Sequence, residues 1–219
     1  NLAAHNEASF FKAHQEEYLE FVRQPFYQLI EALAPAAREV AADIDVRPDK
    51  CLCRIHRDTR FSKDKSPYRD HMWLLLRRSG EARETSVTYW FELSPKAINW
   101  GLGTWGPNKP MMDVLRQRIA EHPRDVQSAL KQSKLPDPAQ GLLLQGDRYQ
   151  RMKVPDAVPE PLRQLYTCKS PYIQRCDAPM RDAYSPKLAE QVGADILRLK
   201  PMYQLLRSAA DQAIAQLDG

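Results

Sequence analysis

From residue 51 to residue 105 the apolar residues abandon helical spacing and gather into short runs separated by turn formers, while the chain on either side keeps a helical period. A central block of strands with no helix between them leaves few folds open, because parallel strands need long crossovers and antiparallel ones do not. Cys51, Cys53, Ile55 and Arg57 alternate with Leu52, Arg54 and His56, the pattern of a half-buried strand. Residues 72–76 form a continuous apolar run bounded by Arg77 and Arg78. Residues 86–93 are rich in β-branched and aromatic side chains, and 97–105 follow a Ser94-Pro95-Lys96 turn. The spacing predicts an antiparallel meander of about four strands, with a short further strand at 142–144.

Helices flank this block. Asn6 and Glu7 suit a helix start, and Phe10, Phe11, His14, Tyr18, Phe21 and Val22 recur at helical spacing. A second helix is expected from Pro25, with Tyr27, Ile30, Leu33 and Val40 inward and a kink or restart at Pro35. Pro107 and Pro110 suit the first turn of another, carried by Met111, Val114, Leu115, Arg118 and Ile119, and Pro123 opens a short one to about Lys131. Residues 134–161, rich in proline, read as largely irregular. A long terminal helix is expected from about Pro186 to Leu217, kinked at Pro201, with Leu188, Val192, Ile196, Leu199, Leu206 and Ile214 inward. The fold class is therefore α+β: a meander sheet flanked by N-terminal helices and a helical C-terminal half.

No repeat, low-complexity tract or linker divides the 219 residues, so a single α+β domain over 1–219 is expected. No apolar run approaches the roughly 18 residues of a membrane span, and charges near the start argue against a signal peptide. Cys51, Cys53, Cys168 and Cys176 lack C-x-x-C spacing and a paired-histidine partner, so free buried thiols are expected, without a metal. The expected compartment is the cytoplasm.

The net charge of +4 is unevenly spread. Residues 47–78 hold ten Lys or Arg against four Asp or Glu, a net of +6, which leaves −2 for the rest. Such a concentration is the usual footprint of an anionic partner. Its densest part, 54–71, offers Arg54, Arg57, Arg60, Lys63, Lys65 and Arg69 as cations, with Tyr68 as hydroxyl donor. Guanidinium forks grip phosphate or carboxylate in bidentate fashion, and lysine adds a point charge. Phe61 and Tyr68 could stack on a base, so nucleic acid is one candidate partner beside an anionic small molecule. The connection of 59–70 is also long for a hairpin, whose loop is usually about 2–5 residues.

The run Arg54-x-x-Arg57-Asp58-x-Arg60-Phe61-Ser62-Lys63-Asp64-Lys65-Ser66-Pro67-Tyr68-Arg69 resembles the hallmark of the family catalogued as domain of unknown function 2461. The opening helix with Phe10, Phe11 and His14, the stretch 100–107, residues 165–169 and the terminal helix through Pro201-Met202-Tyr203 resemble other parts of the family in order. The resemblance implies an α+β fold of a kind found in bacterial and fungal cytoplasmic proteins. It implies no activity and no cofactor.

Three readings of the basic segment remain open: an anion site, an internal lattice of ion pairs that pins the loop, and an enzyme site using His56, Asp58 or His71 as acid, base or ligand. The alternating signs at Arg57-Asp58 and Lys63-Asp64 suit the lattice, and the excess of cations suits the anion. Gly101-Leu-Gly103-Thr-Trp-Gly106 matches G-x-G-x-x-G, but a meander strand followed by helices is the wrong context for a dinucleotide site. A milder role is open to these glycines, close backbone approach to a ligand at the next helix start, with Trp100 and Trp105 as walls. No nucleophile elbow, Walker loop or H-E-x-x-H occurs.

Overall fold

The computed structural model describes every residue except 1, 3, 137–140, 176, 177 and 219, and all described side chains but that of 218. The chain opens with α1 (Ala8–Ala13) and α2 (Gln15–Tyr18), which runs through one π-helical turn (Leu19–Arg23) into α3 (Gln24–Val40). The two expected helices thus join end to end. Pro35 lies inside α3 without ending it, and Phe26 rather than Tyr27 takes the buried place beside Ile30, Leu33, Ala37 and Val40. Tyr27 instead accepts hydrogen bonds from Arg23 on the surface.

Five antiparallel strands form the sheet, β1 (Met72–Leu76), β2 (Val87–Leu93), β3 (Ile98–Thr104), β4 (Leu142–Gln145) and β5 (Tyr172–Arg175). Their order is β1-β2-β3-β5-β4. The first three make the expected meander, Ser94 closing the β2–β3 turn by donating its N–H to the Ala97 carbonyl at 2.9 Å. Then β5 inserts between β3 and β4. This strand is the one the sequence conceals, since Ile173 is its one aliphatic residue, whereas β4 opens on three leucines.

Residues 51–57 do not form the strand their alternation suggests. Pro48 opens a single helical turn, α4 (Pro48–Cys51), and beyond it only isolated bridges join Leu52 to Leu74 and His56 to Tyr68. Arg57 donates its N–H to the Pro67 carbonyl at 2.8 Å, but Pro67 has no N–H to return, so the ladder stops there. The alternation itself survives: Cys51, Cys53 and Ile55 are buried, and Arg54 and His56 are exposed.

One face of the sheet carries Leu74, Leu76, Val87, Tyr89, Phe91, Ile98, Trp100 and Leu102, all buried in one cluster with the helices. α3 lies with α8 (Leu188–Arg198), and α9 (Lys200–Asp218) packs on β2 and on α5 (Lys109–Glu121), beside α6 (Pro123–Gln132). α7 (Glu160–Thr167) packs against α5 and α6. A fully buried aliphatic or aromatic side chain contributes roughly 1.5–3 kcal/mol, so this face dominates the stability. Tyr89 and Tyr203 stack within it at 5.3 Å between ring centres. The expected terminal helix divides into α8 and α9 at Leu199, because Pro201 has no N–H to continue the ladder and instead occupies the first turn of α9. Ile214 is 41% exposed, and Ala209, Ala210 and Ala213 take the inward places near it.

Asp195 of α8 ties the sheet to this layer. It is buried, accepts from Trp100 Nε1 at 2.8 Å, and is paired with Arg175 of β5 through Nε at 2.6 Å and Nη2 at 3.0 Å. Gly101 allows β5 to approach, since a Cβ there would stand 1.9 Å from the Ile173 carbonyl oxygen. Among the described residues no helix is long and apolar enough to cross a membrane.

Candidate functional site

The segment 54–71 folds back on itself, and its charges divide into two groups. In the first, each arginine has a carboxylate. Arg60 holds Asp58 in a fork, Nε to Oδ1 at 3.0 Å and Nη2 to Oδ2 at 2.7 Å. Arg57 pairs with Asp64, which also accepts from the Ser66 hydroxyl at 2.6 Å and the Ser66 N–H at 2.9 Å. Hydrogen bonds from Arg60 lower the Asp58 pKa to about 2, and Ser66, then Arg57, hold Asp64 lower still. Lys65 donates to the Thr59 carbonyl at 2.9 Å, and Lys63 is exposed without an ion pair among the described residues. The tip is thus a lattice of internal pairs, with Phe61 94% exposed beneath the Arg60 guanidinium.

Tyr68 sits at the base of the loop and is buried. Its ring stacks on Phe11 at 4.4 Å and leans on His56 at 5.0 Å, while its backbone exchanges two hydrogen bonds with the side chain of Asn6. The N-terminal helices are therefore tied to the loop by Asn6 and Phe11. His56 packs against these rings, and no hydrogen bond or ion pair joins it to Asp58. His71 lies elsewhere, its Nδ1 2.8 Å from Asp70 Oδ1, its Nε2 4.0 Å from Glu92 and its ring stacked on Trp73 at 4.7 Å. His14 bonds the Phe10 carbonyl and stacks on that ring. Among the described residues no three His, Cys, Asp or Glu side chains gather in a way that could hold a metal ion.

In the second group, four of five cations have no such partner among the described residues. Arg54 and Arg69, from the expected set, line a cavity of about 120 Å³ together with Lys50, Arg77 and Arg83. Its remaining walls are Cys51, Leu52, Cys53 and Leu75, so no carboxylate faces it. Lys50 has Asp49 at 3.6 Å, whereas no ion pair among the described residues engages Arg54, Arg69, Arg77 or Arg83. Arg69 is held by its Nε on the His56 carbonyl at 3.4 Å and lies 4.5 Å over Trp73. Burial, and the guanidiniums of Arg83, Arg54 and Arg57, bring its pKa below the ordinary arginine value. Arg83 reaches the Cys53 sulfur at 3.7 Å and lies 4.9 Å over Trp105. The neighbouring Arg78 has the opposite fate, forked onto Asp211 of α9 at 2.8 Å twice.

Sequence reasoning placed Arg54 and Arg69 here and missed Lys50, Arg77 and Arg83. The available signal was the position of Arg77 directly after β1, where period two places it on the side of Leu75 and opposite Leu76. The G-x-G-x-x-G stretch serves the approach of β5, and α5 after it is capped internally by Asn108 Oδ1 accepting from the Met111 N–H at 3.1 Å. Trp100 is a core residue, and Trp105 is half-exposed beside Arg83. Lys169 lies over Tyr149, and Arg175 belongs to the Asp195 pair.

Cys51, Cys53 and Cys168 are buried free thiols, and Cys176 lies outside the described residues. Burial raises the pKa of all three, that of Cys51 to about 12 with the Asp45 carboxylate adding to it.

No curated protein and no solved structure matches the chain. A family model described as "Conserved hypothetical protein (DUF2461)" matches residues 1–205, nearly the whole length, and the chain belongs to that family.

Proposed function

We propose that the protein binds an anionic, phosphate- or carboxylate-bearing ligand, and that the cavity walled by Lys50, Arg54, Arg69, Arg77 and Arg83 holds the anionic group. The observation that carries this is five basic side chains around one small cavity with no acid in its lining. Four of these five cations have no ion pair among the described residues, and an oxyanion relieves their mutual repulsion while accepting the guanidinium hydrogen bonds. Arg57, Arg60 and Lys65 are assigned to the shape of the loop above the site, since each is bonded within the loop.

The test is thermal unfolding with inorganic phosphate, sulfate and citrate at low and high salt. A ligand at about 100 times its dissociation constant adds roughly 2.7 kcal/mol, which is readily visible. Arg54→Gln and Arg77→Gln, both outside the core, are expected to keep the unliganded melting temperature and to lose the shift. No stabilisation by any anion at low salt refutes the reading.

An enzyme acting on the same ligand is a second reading, favoured by the His71–Asp70 pair stacked on Trp73. A carboxylate on one ring nitrogen is the arrangement that orients a histidine for proton transfer. Turnover of a bound phosphate ester that His71→Ala abolishes without loss of binding would support it, and binding without turnover would set it aside.

A further inference from the structure

The sheet face turned away from the helices carries Trp73 and Leu75 of β1, Thr88, Trp90 and Glu92 of β2, and Tyr172 of β5, which line an open cavity of about 310 Å³. A sheet face exposed to water is ordinarily polar, so Trp73, Trp90 and Leu75 on it, with Trp105 at its rim, need an explanation. Trp90 lines the cavity, is half-buried and has no ring partner among the described residues. Thr104 lines the same cavity, is 8% exposed, and its hydroxyl oxygen has no hydrogen-bond partner among the described residues.

This cavity adjoins the basic one. Leu75 is a wall of both. Arg69 and Arg83 line the basic side and lie over Trp73 and Trp105, which line the aromatic side. A ligand spanning the partition would place a flat ring on the tryptophan side and an oxyanion among the arginines. We propose that the ligand is a mononucleotide, its base seated over Trp90 and its phosphate in the pocket of Lys50, Arg54, Arg69, Arg77 and Arg83. The inference rests on the anion reading above and adds the base. Glu92 in the aromatic wall is an acceptor for an exocyclic amine, so an amino-bearing base such as adenine fits this edge. Stacking of one base on an aromatic side chain is worth roughly 5- to 150-fold in affinity.

The experiment is a calorimetric and tryptophan-fluorescence titration of the intact protein with adenosine 5′-monophosphate, ribose 5-phosphate, adenosine, inorganic phosphate and a ten-residue oligothymidylate. The nucleotide is expected to bind at least about tenfold tighter than ribose 5-phosphate and to quench the emission. Trp90→Ala is expected to remove that advantage while ribose 5-phosphate binds as before. The wild-type comparison decides the matter whether or not Trp90→Ala folds. Equal binding of nucleotide and ribose 5-phosphate overturns the inference and leaves the anion site standing. Adenosine binding without any phosphate binding refutes the anion site, and the inference with it, as does binding of nothing. An oligothymidylate that outcompetes the nucleotide at equal phosphate concentration overturns it in favour of a single-stranded nucleic-acid surface.

Discussion

Replacing Asp195 by alanine removes a buried carboxylate that joins β3, β5 and α8. The carboxylate accepts three hydrogen bonds, one from Trp100 and two from Arg175. Trp100 is 2% exposed, so its indole N–H would be left buried and unpaired at a cost of about 1–3 kcal/mol. Breaking a buried ion pair from one side costs about 3–5 kcal/mol. The Arg175 side chain is 17% exposed and regains some hydration, which brings the overlapping costs to about 4 kcal/mol in total. Most buried apolar residues form one cluster, so one cooperative urea transition is expected. With a slope of about 2.5 kcal/mol per molar urea, the midpoint falls by about 1.6 M. Circular dichroism follows the helices, and the summed emission of the four tryptophans, Trp100 among them, follows the tertiary packing. The reasoning also requires coupling: Asp195→Ala and Arg175→Met together must cost less than the sum of the two alone. A single-variant loss under about 1 kcal/mol, or simple additivity, refutes the account.

Three further outcomes follow from the same contacts. Tyr89 is buried and its hydroxyl has no partner among the described residues, so Tyr89→Phe is expected to hold or raise stability by about 1 kcal/mol in urea unfolding. At pH 8 the Cys51 thiolate, with its pKa near 12, is about one part in ten thousand of the thiol, so iodoacetamide should leave Cys51 intact until urea unfolds the chain. Asp58 and Asp64 are more acidic in the fold than the ordinary carboxylate near 3.9, so their contribution is present above that pH and lost as pH falls towards 2. Pepsin cleavage beside the exposed Phe61, normalised to a reference peptide, should therefore rise between pH 4 and pH 2, and Asp64→Asn should raise it already at pH 4.

Much of the fold was legible because period and punctuation carry it. β1, β2, β3 and β4 fall where apolar runs and turn residues place them, and Pro201 divides the terminal helix for the reason its missing N–H gives. β5 was hidden because Ile173 is its one aliphatic residue, whereas β4, equally short, shows the apolar run of residues 142–144. The charge density at 47–78 was visible, but not which cations are free. That depends on Asp58 and Asp64 turning onto Arg60 and Arg57, a local geometry that spacing does not fix. The aromatic face could have been found. Trp73 beside Leu74, and Trp90 between Tyr89 and Phe91, stand at opposite parity to the core residues, and strand alternation alone sends them to the other side of the sheet.

The insertion of β5 between β3 and β4 bears on the order in which the protein is assembled. The three meander strands meet through near neighbours in the chain, whereas β5 must return across about 70 residues to pair with β3. Distant pairings form late, because loop closure precedes the contacts that reward it. Tyr172 of β5 lines the aromatic cavity and Arg175 completes the Asp195 pair, so both features wait for the same late event. A ligand held between the meander and β5 would act as a clasp on the slowest seam of the sheet, and its binding would distinguish finished molecules from those that have closed only the first three strands.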